Sequence, residues 1–299
     1  MNTENRVITA SFPQTKIQDP NELKSSHLFL DQVINMFYPS STGSLGYQSP
    51  WQKTKEHVAF RPHELSVWTG INGHGKSQFL GQILLHCMSQ GARACIASLE
   101  MKPERLLMRL TRQVSAIALP DKTMIESVQH WFADKLWLFE LVGSAKTERL
   151  LEVFLYAHQH YGVDVFLLDS LLKCNIAEDD YNAQKAFIEK LCDFKNEYPC
   201  HIHVIAHPRK GIDETTIPGK FDIKGTGSIS DLADNCFSIW RNKEKKSVHD
   251  PDCVWTCNKQ RNGEWEGKFA LWFDSDSFQY HETATQTAEP LITPTIPSD

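Results

Sequence analysis

A glycine-rich segment between a strand and a helix constrains this chain more than any other feature of its sequence. Residues 70–77, GINGHGKS, fit the pattern G-x-x-x-x-G-K-[ST]. The apolar strand ELSVWTG comes directly before the segment, and a helix predicted over residues 76–90 follows it. In that position, backbone N–H groups of the loop and of the helix N-terminus converge on phosphate oxygens. The segment therefore predicts a nucleoside triphosphate site.

Individual residues of the loop have separate expected roles. Lys76 is expected to bridge the outer phosphates, and the Ser77 hydroxyl to coordinate Mg²⁺. We expect ATP and Mg²⁺ as cofactors, with the nucleotide contacting Gly70, Asn72, Gly73, His74, Gly75, Lys76, Ser77 and Gln78.

Short apolar strands alternate with helical stretches from residue 64 onward. The strands include ARACIASL, KLWLFEL, VDVFLLD and HIHVIAH, and helices are predicted near 104–118, 121–133, 147–161 and 181–198. This alternation is typical of an α/β fold with a mostly parallel sheet covered by helices on both faces. The segments NCFSIWR, CVWTCNK and KFALWF follow, and we expect them to be antiparallel C-terminal strands, with a hairpin turn at Asn262-Gly263.

Composition shifts predict three regions. Residues 1–49 are an N-terminal arm with an amphipathic helix near 20–37 and a Ser-, Gly- and Pro-rich linker. Residues 50–280 form the ATPase domain. Residues 281–299 are rich in Thr and Pro, and we predict a disordered tail.

Three further polar residues follow strands that are expected to end at the same edge as the loop. Asp169 ends VDVFLLD and is expected to order the metal, although many parallel strands end in Asp. Because Ser170 follows it, an Asp-Glu pair is absent and a catalytic base must come from elsewhere. Glu100, after ARACIASL, is the candidate, against a solvent-exposed glutamate that starts the next helix. His207 is either a phosphate sensor or a packed core residue.

Charge and hydropathy exclude some classes of protein. The net charge of −6 argues against a protein that coats nucleic acid through bulk positive charge. No apolar run reaches the roughly 18 residues of a membrane span, and the start lacks a secretory signal, so we expect a cytoplasmic protein with no membrane partner. The eight scattered cysteines are typical of reduced core residues, and the spacing of Cys253 and Cys257 is unlike a zinc site.

Five ordered segments together resemble one group of enzymes. They are GINGHGKS, SLEM, VFLLDS, VIAHPRKG with IKGTGSISDLADN, and NKQRNG. The sequence resembles the RecA-like helicase domain of hexameric replicative DNA helicases of the DnaB, bacteriophage primase-helicase and Twinkle type. The resemblance implies that Glu100 activates water, that His207 senses phosphate, and that Lys259 and Arg261 reach a neighbouring subunit's nucleotide, Arg261 as an arginine finger. From the residues alone, Lys259 and Arg261 are solvated charges beside a hairpin turn.

The resemblance also implies partners and a mechanism. It implies a homo-oligomeric hexameric ring that moves 5′ to 3′ on single-stranded DNA and unwinds duplex, with the N-terminal arm packed on an adjacent protomer. The loop 208–227 would contact DNA through Arg209, Lys210, Lys220 and Lys224, against the alternative of a merely mobile surface loop. Fewer than 50 residues precede the core, which leaves no room for a primase domain, so a separate primase or helicase loader is expected.

Two other functions fit the same motifs. One is a RecA- or RadA-like recombinase ATPase that forms open filaments and exchanges strands. The other is a nucleotide-switched loader or scaffold without helicase activity, in which substitution of Glu100 would leave function intact.

Overall fold

The chain divides into two compact units, Met1–Ser44 and Leu45–Asp299. The computed structural model describes residues 23–38, 46–140, 146–177, 180–208, 215–219, 222 and 227–293. In the first unit, a 3₁₀ turn at Ser26–Phe29 leads into helix α1, Leu30–Phe37. The described part of the predicted helix at 20–37 is therefore helical from Ser26 onward, and its apolar side chains recur with the spacing of one helical face.

The second unit starts earlier than the predicted boundary at residue 50. Tyr47–Gln48 form strand β1, which pairs antiparallel with β2, Ala59–Phe60. The hydroxyl of Tyr47 also donates a hydrogen bond to Asp164. These contacts tie residues that we predicted as linker to the second unit.

One nine-stranded sheet forms the centre of the second unit. Its strand order is β11-β10-β9-β8-β3-β7-β6-β4-β5. The strands from β8 to β5 are parallel, whereas β9, β10 and β11 are antiparallel. Their bounds are β3, Glu64–Thr69; β4, Ala94–Ser98; β5, Leu136–Leu138; β6, Val165–Asp169; β7, His201–Ile205; β8, Asn235–Arg241; β9, Cys253–Gln260; β10, Gly267–Phe273; and β11, Tyr280–His281. The predicted fold class is confirmed.

Helices connect the parallel strands and cover both faces of the sheet. They are α2, Lys76–Ser89; α3, Pro103–Ser115; α4, Lys122–Phe132; α5, Thr147–Tyr161; α6, Tyr181–Glu197; and α7, Gly227–Leu232. The predicted helices agree with these bounds to within a few residues. Helix α7 is the exception, because it begins at the last residue of the segment that we predicted as a loop, 208–227.

The hydrophobic core has two layers, one on each face of the sheet. One layer contains Trp68, Phe79 and Trp255, whose rings contact one another. The other layer packs residues of α5 and α6, such as Phe154 and Leu191, on the opposite face. Every residue of β3, β4, β6 and β7 is buried, as expected for parallel strands covered by helices on both faces. All eight cysteines are free thiols, and seven of them are buried.

The C-terminal segment differs from the predicted disorder after residue 280. Tyr280–His281 pair with β10, and the backbone N–H of Leu291 donates to the carbonyl of Val114. The side chain of Gln279 donates to the carbonyl of Glu289. Backbone and amide hydrogen bonds therefore hold the segment up to residue 293, although its composition offers few apolar side chains. Among the described residues, no helix is long and apolar enough to cross a membrane.

Candidate functional site

A cavity of about 800 Å³ lies at the carboxyl edge of the parallel strands. The chain leaves β3, β4, β6 and β7 at this edge, so the residues that follow these strands converge there. The structure brings Lys76, Ser77, Glu100, Asp169 and His207 together around one space. The lining residues are Asn72, Gly73, Gly75, Lys76, Ser77, Gln78, Leu99, Glu100, Arg109, Asp169, Leu172, Lys173, Ile205 and His207.

Two glycines of the loop have no room for a side chain. A Cβ on Gly70 would lie 2.3 Å from the carbonyl oxygen of Ile239 in β8. Gly75 has φ +83°, in the left-handed region, and a Cβ there would lie 2.6 Å from the Tyr280 hydroxyl. Gly75 also directly precedes α2, whose N-terminus opens into the cavity. The loop is therefore wedged between β8 and the C-terminal strands with its backbone facing the cavity.

Lys76 is a buried cation at the base of this loop. Its Nζ donates to the carbonyl oxygens of Gly70 at 2.5 Å and Ile71 at 3.2 Å. Burial lowers the pKa of Lys76 to about 8, and the negative charges of Asp169 and Glu100 oppose that shift. The ammonium form still predominates at neutral pH, so the cavity holds a positive charge at the place that the motif predicts for the outer phosphates.

Asp169 and Ser77 place hard oxygen donors side by side. Asp169 is 6% exposed at the end of β6, and Ser77 hydrogen-bonds its carboxylate. Burial raises the pKa of Asp169, and the Ser77 hydrogen bond partly opposes the shift. A hydroxyl and a buried carboxylate are the oxygen ligands that Mg²⁺ takes beside a nucleotide. The donor set therefore fits Mg²⁺, and bound cation would favour the charged form of Asp169.

Glu100 and His207 are linked through a serine. Ser170 Oγ lies 2.9 Å from Glu100 Oε1 and 3.2 Å from His207 Nε2. His207 Nδ1 lies 2.5 Å from Asn72 Oδ1 in the loop. The interactions with His207 and Ser170 lower the pKa of Glu100 to about 2, against partial burial, which raises it. Glu100 is therefore a carboxylate throughout the neutral range.

Some of the loop residues that we expected to contact nucleotide have another position. His74 is 1% exposed and does not line the large cavity; its Nδ1 accepts a hydrogen bond from the backbone N–H of Arg241. Gly70 approaches β8 and supplies a carbonyl to Lys76. Both residues therefore pack against β8, on the side of the loop away from the cavity.

Sequence reasoning missed three polar residues of the site. Ser170 was considered only as the absence of a second carboxylate, whereas its position beside Asp169 at a strand end already put it at this edge. Arg109 lies on α3 and Lys173 on the turn after Ser170, and both line the cavity. Arg109 follows Glu100 by nine residues and lies within α3, which starts at Pro103. Its place at the cavity depends on how α3 packs, and the sequence motifs do not give that.

Lys259 and Arg261 lie at the opposite, amino edge of the sheet. Strand β9 ends there beside the start of β8, where Asn235 pairs with Gln260. Lys259 Nζ donates to the carbonyl oxygens of Ser230, Asp231 and Ala233 at 2.7, 3.1 and 2.7 Å. Arg261 donates to the Asp231 carbonyl at 2.8 Å and lies 3.0 Å from a carboxylate oxygen of Asp234. Both cations therefore hold the C-terminal end of α7 in their own chain.

The four cations expected to contact DNA, Arg209, Lys210, Lys220 and Lys224, lie outside the described residues. Pro208 at the start of this segment follows His207 directly, and Gly227 at its end starts α7. The contact of these four residues with DNA stays a prediction.

Comparisons with known proteins agree with the fold. A family model described as "AAA domain" matches residues 57–213. Over 241 residues the chain is 23% identical to the "Twinkle homolog protein, chloroplastic/mitochondrial" of Arabidopsis thaliana, a match that covers 73% of this chain and 34% of that protein. Over 205 residues it is 25% identical to the "DNA helicase/primase" of Enterobacteria phage T3, covering 62% of this chain and 36% of that protein. The chain thus spans about a third of the length of these relatives.

Solved structures show the same fold at low sequence identity. A structure described as an "ATPase Domain" superposes with a TM-score of 0.73 at 15% identity, covering 86% of this chain and 98% of that one. A DnaB-like replicative helicase, solved in a study of its interactions with primase, gives a TM-score of 0.73 at 13% identity and covers 86% and 68%. The resemblance found in the sequence and the RecA-like fold are both confirmed.

Proposed function

Because the chain belongs to the AAA domain family, whose model matches more than half of it, we propose that the large cavity binds and hydrolyses ATP with Mg²⁺. One observation carries the proposal: five separately predicted residues, Lys76, Ser77, Glu100, Asp169 and His207, surround a single cavity. A loop that only resembled a phosphate site would not assemble a metal-binding pair and a carboxylate base around it.

The loop and Lys76 bind the phosphates. On binding, the Lys76 ammonium exchanges the carbonyls of Gly70 and Ile71 for phosphate oxygens, and the N-terminus of α2 adds its backbone N–H groups. Ser77 and Asp169 hold Mg²⁺, which neutralises charge on the outer phosphates when it is bound. Burial of Lys76 and Asp169 keeps water from screening these charges.

Glu100 orients the attacking water. Its carboxylate is charged at neutral pH, one oxygen is bound to Ser170, and its side chain is 42% exposed at the cavity. A carboxylate held in that way accepts a hydrogen bond from a water molecule beside the terminal phosphate. His207, which lines the same cavity between Ser170 and Asn72, contacts that phosphate as the sensor.

Arg261 acts on the nucleotide of a neighbouring copy. Its backbone N–H donates to the carbonyl of Asp234, beside Leu65 at the start of β3, whereas the phosphate loop follows the other end of that strand. The five steps along the chain from Leu65 to Gly70 span roughly 17 Å at about 3.3 Å per residue. A side chain at one edge does not reach the cavity at the other, so a finger role for Arg261, with Lys259 beside it, requires a second subunit.

We infer further that ATP hydrolysis drives movement on single-stranded DNA. Two of the proteins compared above are a helicase/primase and a replicative helicase by name, and the resemblance implies a hexameric ring that moves 5′ to 3′ and unwinds duplex. The loop 208–227 would carry the DNA contacts, since it connects the sensor His207 to α7. A primase or a helicase loader is the expected protein partner.

Steady-state ATP hydrolysis with and without single-stranded DNA tests this function, together with unwinding of a forked duplex. We expect DNA to stimulate hydrolysis, and Lys76→Ala to abolish it. Stimulated hydrolysis with strand exchange but without unwinding would favour the recombinase. A wild-type rate equal to that of Lys76→Ala, in a protein that still binds ATP, would favour the nucleotide-switched scaffold.

A further inference from the structure

Ser170 is fully buried between Glu100 and His207, the two residues proposed to orient the attacking water and to contact the terminal phosphate. It is 0% exposed, and its hydroxyl is within hydrogen-bond distance of both Glu100 and His207. Its backbone is fixed as well, because it follows β6 directly and its carbonyl accepts a hydrogen bond from the N–H of Lys173. The hydroxyl enters the account above only as a contact of Glu100 and of His207, with no role of its own.

Hydrogen-bond chemistry fixes the direction of both contacts. A serine hydroxyl has one proton, and an ionised carboxylate accepts only. Because Glu100 is charged, Ser170 donates its proton to Glu100 Oε1 and accepts from Nε2–H of His207. The other ring nitrogen of His207 faces the side-chain amide of Asn72 in the phosphate loop. The atom of Asn72 that faces Nδ1 is Oδ1, which accepts only, so this contact is a hydrogen bond when Nδ1 also carries a proton. A continuous chain of polar contacts thus runs from the loop through His207 and Ser170 to Glu100.

We propose that Ser170 is a positioning residue that couples the sensor His207 to Glu100. It holds one oxygen of the carboxylate, so that the other is left to orient water, and any displacement of His207 by a bound phosphate reaches Glu100 through the shared hydroxyl. The direct distance from His207 Nε2 to Glu100 Oε1, 3.7 Å, is too long for a hydrogen bond of its own. The inference rests on the ATP hydrolysis proposed above.

Enzyme kinetics of single and double variants test the coupling. Ser170→Ala should lower the basal kcat for ATP roughly ten- to a hundredfold, the effect of one hydrogen bond to a charged group, with KM unchanged. In the Ser170→Ala background, His207→Ala should cause a smaller loss than in the wild type, because the part of its effect that reaches Glu100 passes through the missing hydroxyl. Ser170→Thr, which keeps a hydroxyl, should recover part of kcat. Ser115→Ala, at a buried serine on α3, is the matched control and should keep the wild-type rate.

Independent losses in the Ser170→Ala and His207→Ala variants, or an unchanged kcat in Ser170→Ala, would overturn the coupling. A change of KM and kcat together would show a merely structural role and overturn it as well. Failure of the proposed motor function has a different readout. It would appear as ATP hydrolysis by the wild-type protein that DNA does not stimulate, whereas the role of Ser170 is tested by the basal kcat, without DNA.

A spectroscopic measurement tests the same contact without turnover. In ¹⁵N-labelled protein, the His207 imidazole resonances, assigned by their loss in His207→Ala, should shift when Glu100 is changed to Gln. The same Glu100→Gln change in the Ser170→Ala background should shift them clearly less, because only the direct charge effect across 3.7 Å then connects His207 with Glu100. Equal shifts in both backgrounds would mean that His207 senses Glu100 without the serine, and would overturn the proposal.

Discussion

The two edges of the central sheet use charge in opposite ways. At the carboxyl edge, Lys76, Glu100 and Asp169 surround a cavity of about 800 Å³ and face a space rather than one another. At the amino edge, the charges bind protein. Asp234, 3% exposed, lies 3.0 Å from Lys195 and 3.0 Å from Arg261, and also accepts from the backbone N–H of Leu65. The charges of the carboxyl edge line an open cavity, whereas those of the amino edge form ion pairs and hydrogen bonds within the chain.

This contrast explains what Arg261 must do to serve as a finger. Its side chain is 48% exposed, so part of it is accessible, but its guanidinium contacts a carboxylate and carbonyls of the same chain. A phosphate of a neighbouring copy would have to compete with Asp234 and with the end of α7. Engagement of a neighbour's nucleotide would therefore loosen the helix that follows the loop 208–227.

The largest expected effect is on activity at the carboxyl edge. Glu100→Gln removes the charge that orients water, and we expect ATP hydrolysis to fall roughly a thousandfold, within the usual range for loss of a general base. ATP affinity and the free energy of unfolding should stay near wild type. The matched control is Glu104→Gln, at an exposed glutamate in the first turn of α3. Normal hydrolysis in Glu100→Gln would remove this residue from the mechanism.

The next largest effect is on stability at the amino edge. Asp234→Ala leaves Lys195, itself 6% exposed, without its carboxylate partner. Breaking a buried ion pair in that way costs about 3–5 kcal/mol of unfolding free energy. Urea denaturation would measure it. Asp231→Ala, which removes an exposed side chain three residues earlier, should stay within about 0.5 kcal/mol of wild type. A similar small change in both variants would contradict the contrast between the edges.

Acid should weaken the same half of the molecule. His201 and His203 on β7 are 1% and 0% exposed, and burial lowers the pKa of each below its usual value. The unfolded chain protonates these histidines below about pH 6.5, whereas the folded chain does so only below their lowered pKa values. The free energy of unfolding therefore falls as the pH falls between these two limits. We expect a loss of about 2–3 kcal/mol between about pH 7 and pH 5.5 from the two groups together. His203→Gln should reduce this dependence, whereas the exposed His249→Gln should not.

The smallest effect is expected at Lys259. All three protons of its ammonium are used on carbonyls at the end of α7, so Lys259→Met should cost about 1 kcal/mol of unfolding free energy. Amide hydrogen exchange in residues 230–235 should quicken. Lys268→Met, at an exposed lysine on β10, is the control. Unchanged exchange in Lys259→Met would show that the capping contacts do not hold the helix.

The sequence predicts the carboxyl edge far better than the amino edge. Strand, loop and helix follow one another around GINGHGKS, and parallel strands bring Glu100, Asp169 and His207 to one edge by topology alone. Ser170 was missed because its role depends on two partners, 70 and 37 residues away along the chain. The partners of Lys259 and Arg261 were missed for a similar reason, since they lie at and just after the end of a short helix, about 30 residues earlier in the chain, that no periodic pattern predicts.

The C-terminal segment shows a second limit of sequence reasoning. Its Thr- and Pro-rich composition predicted disorder, yet residues 281–293 are held by hydrogen bonds such as Leu291 to Val114 and Gln279 to Glu289. Composition reports how much apolar surface a segment can bury. It does not report whether the backbone of the segment will find hydrogen-bond donors and acceptors on the neighbouring elements.

Mixing two inactive variants tests most directly whether Arg261 at the amino edge of one chain acts on the nucleotide at the carboxyl edge of the next. Arg261→Ala keeps an intact cavity and Lys76→Ala keeps an intact finger, so a mixed assembly contains interfaces in which both are present. We predict little ATP hydrolysis for either variant alone and partial recovery in the mixture, in the presence of single-stranded DNA. A mixture no more active than the average of the two variants would contradict the claim.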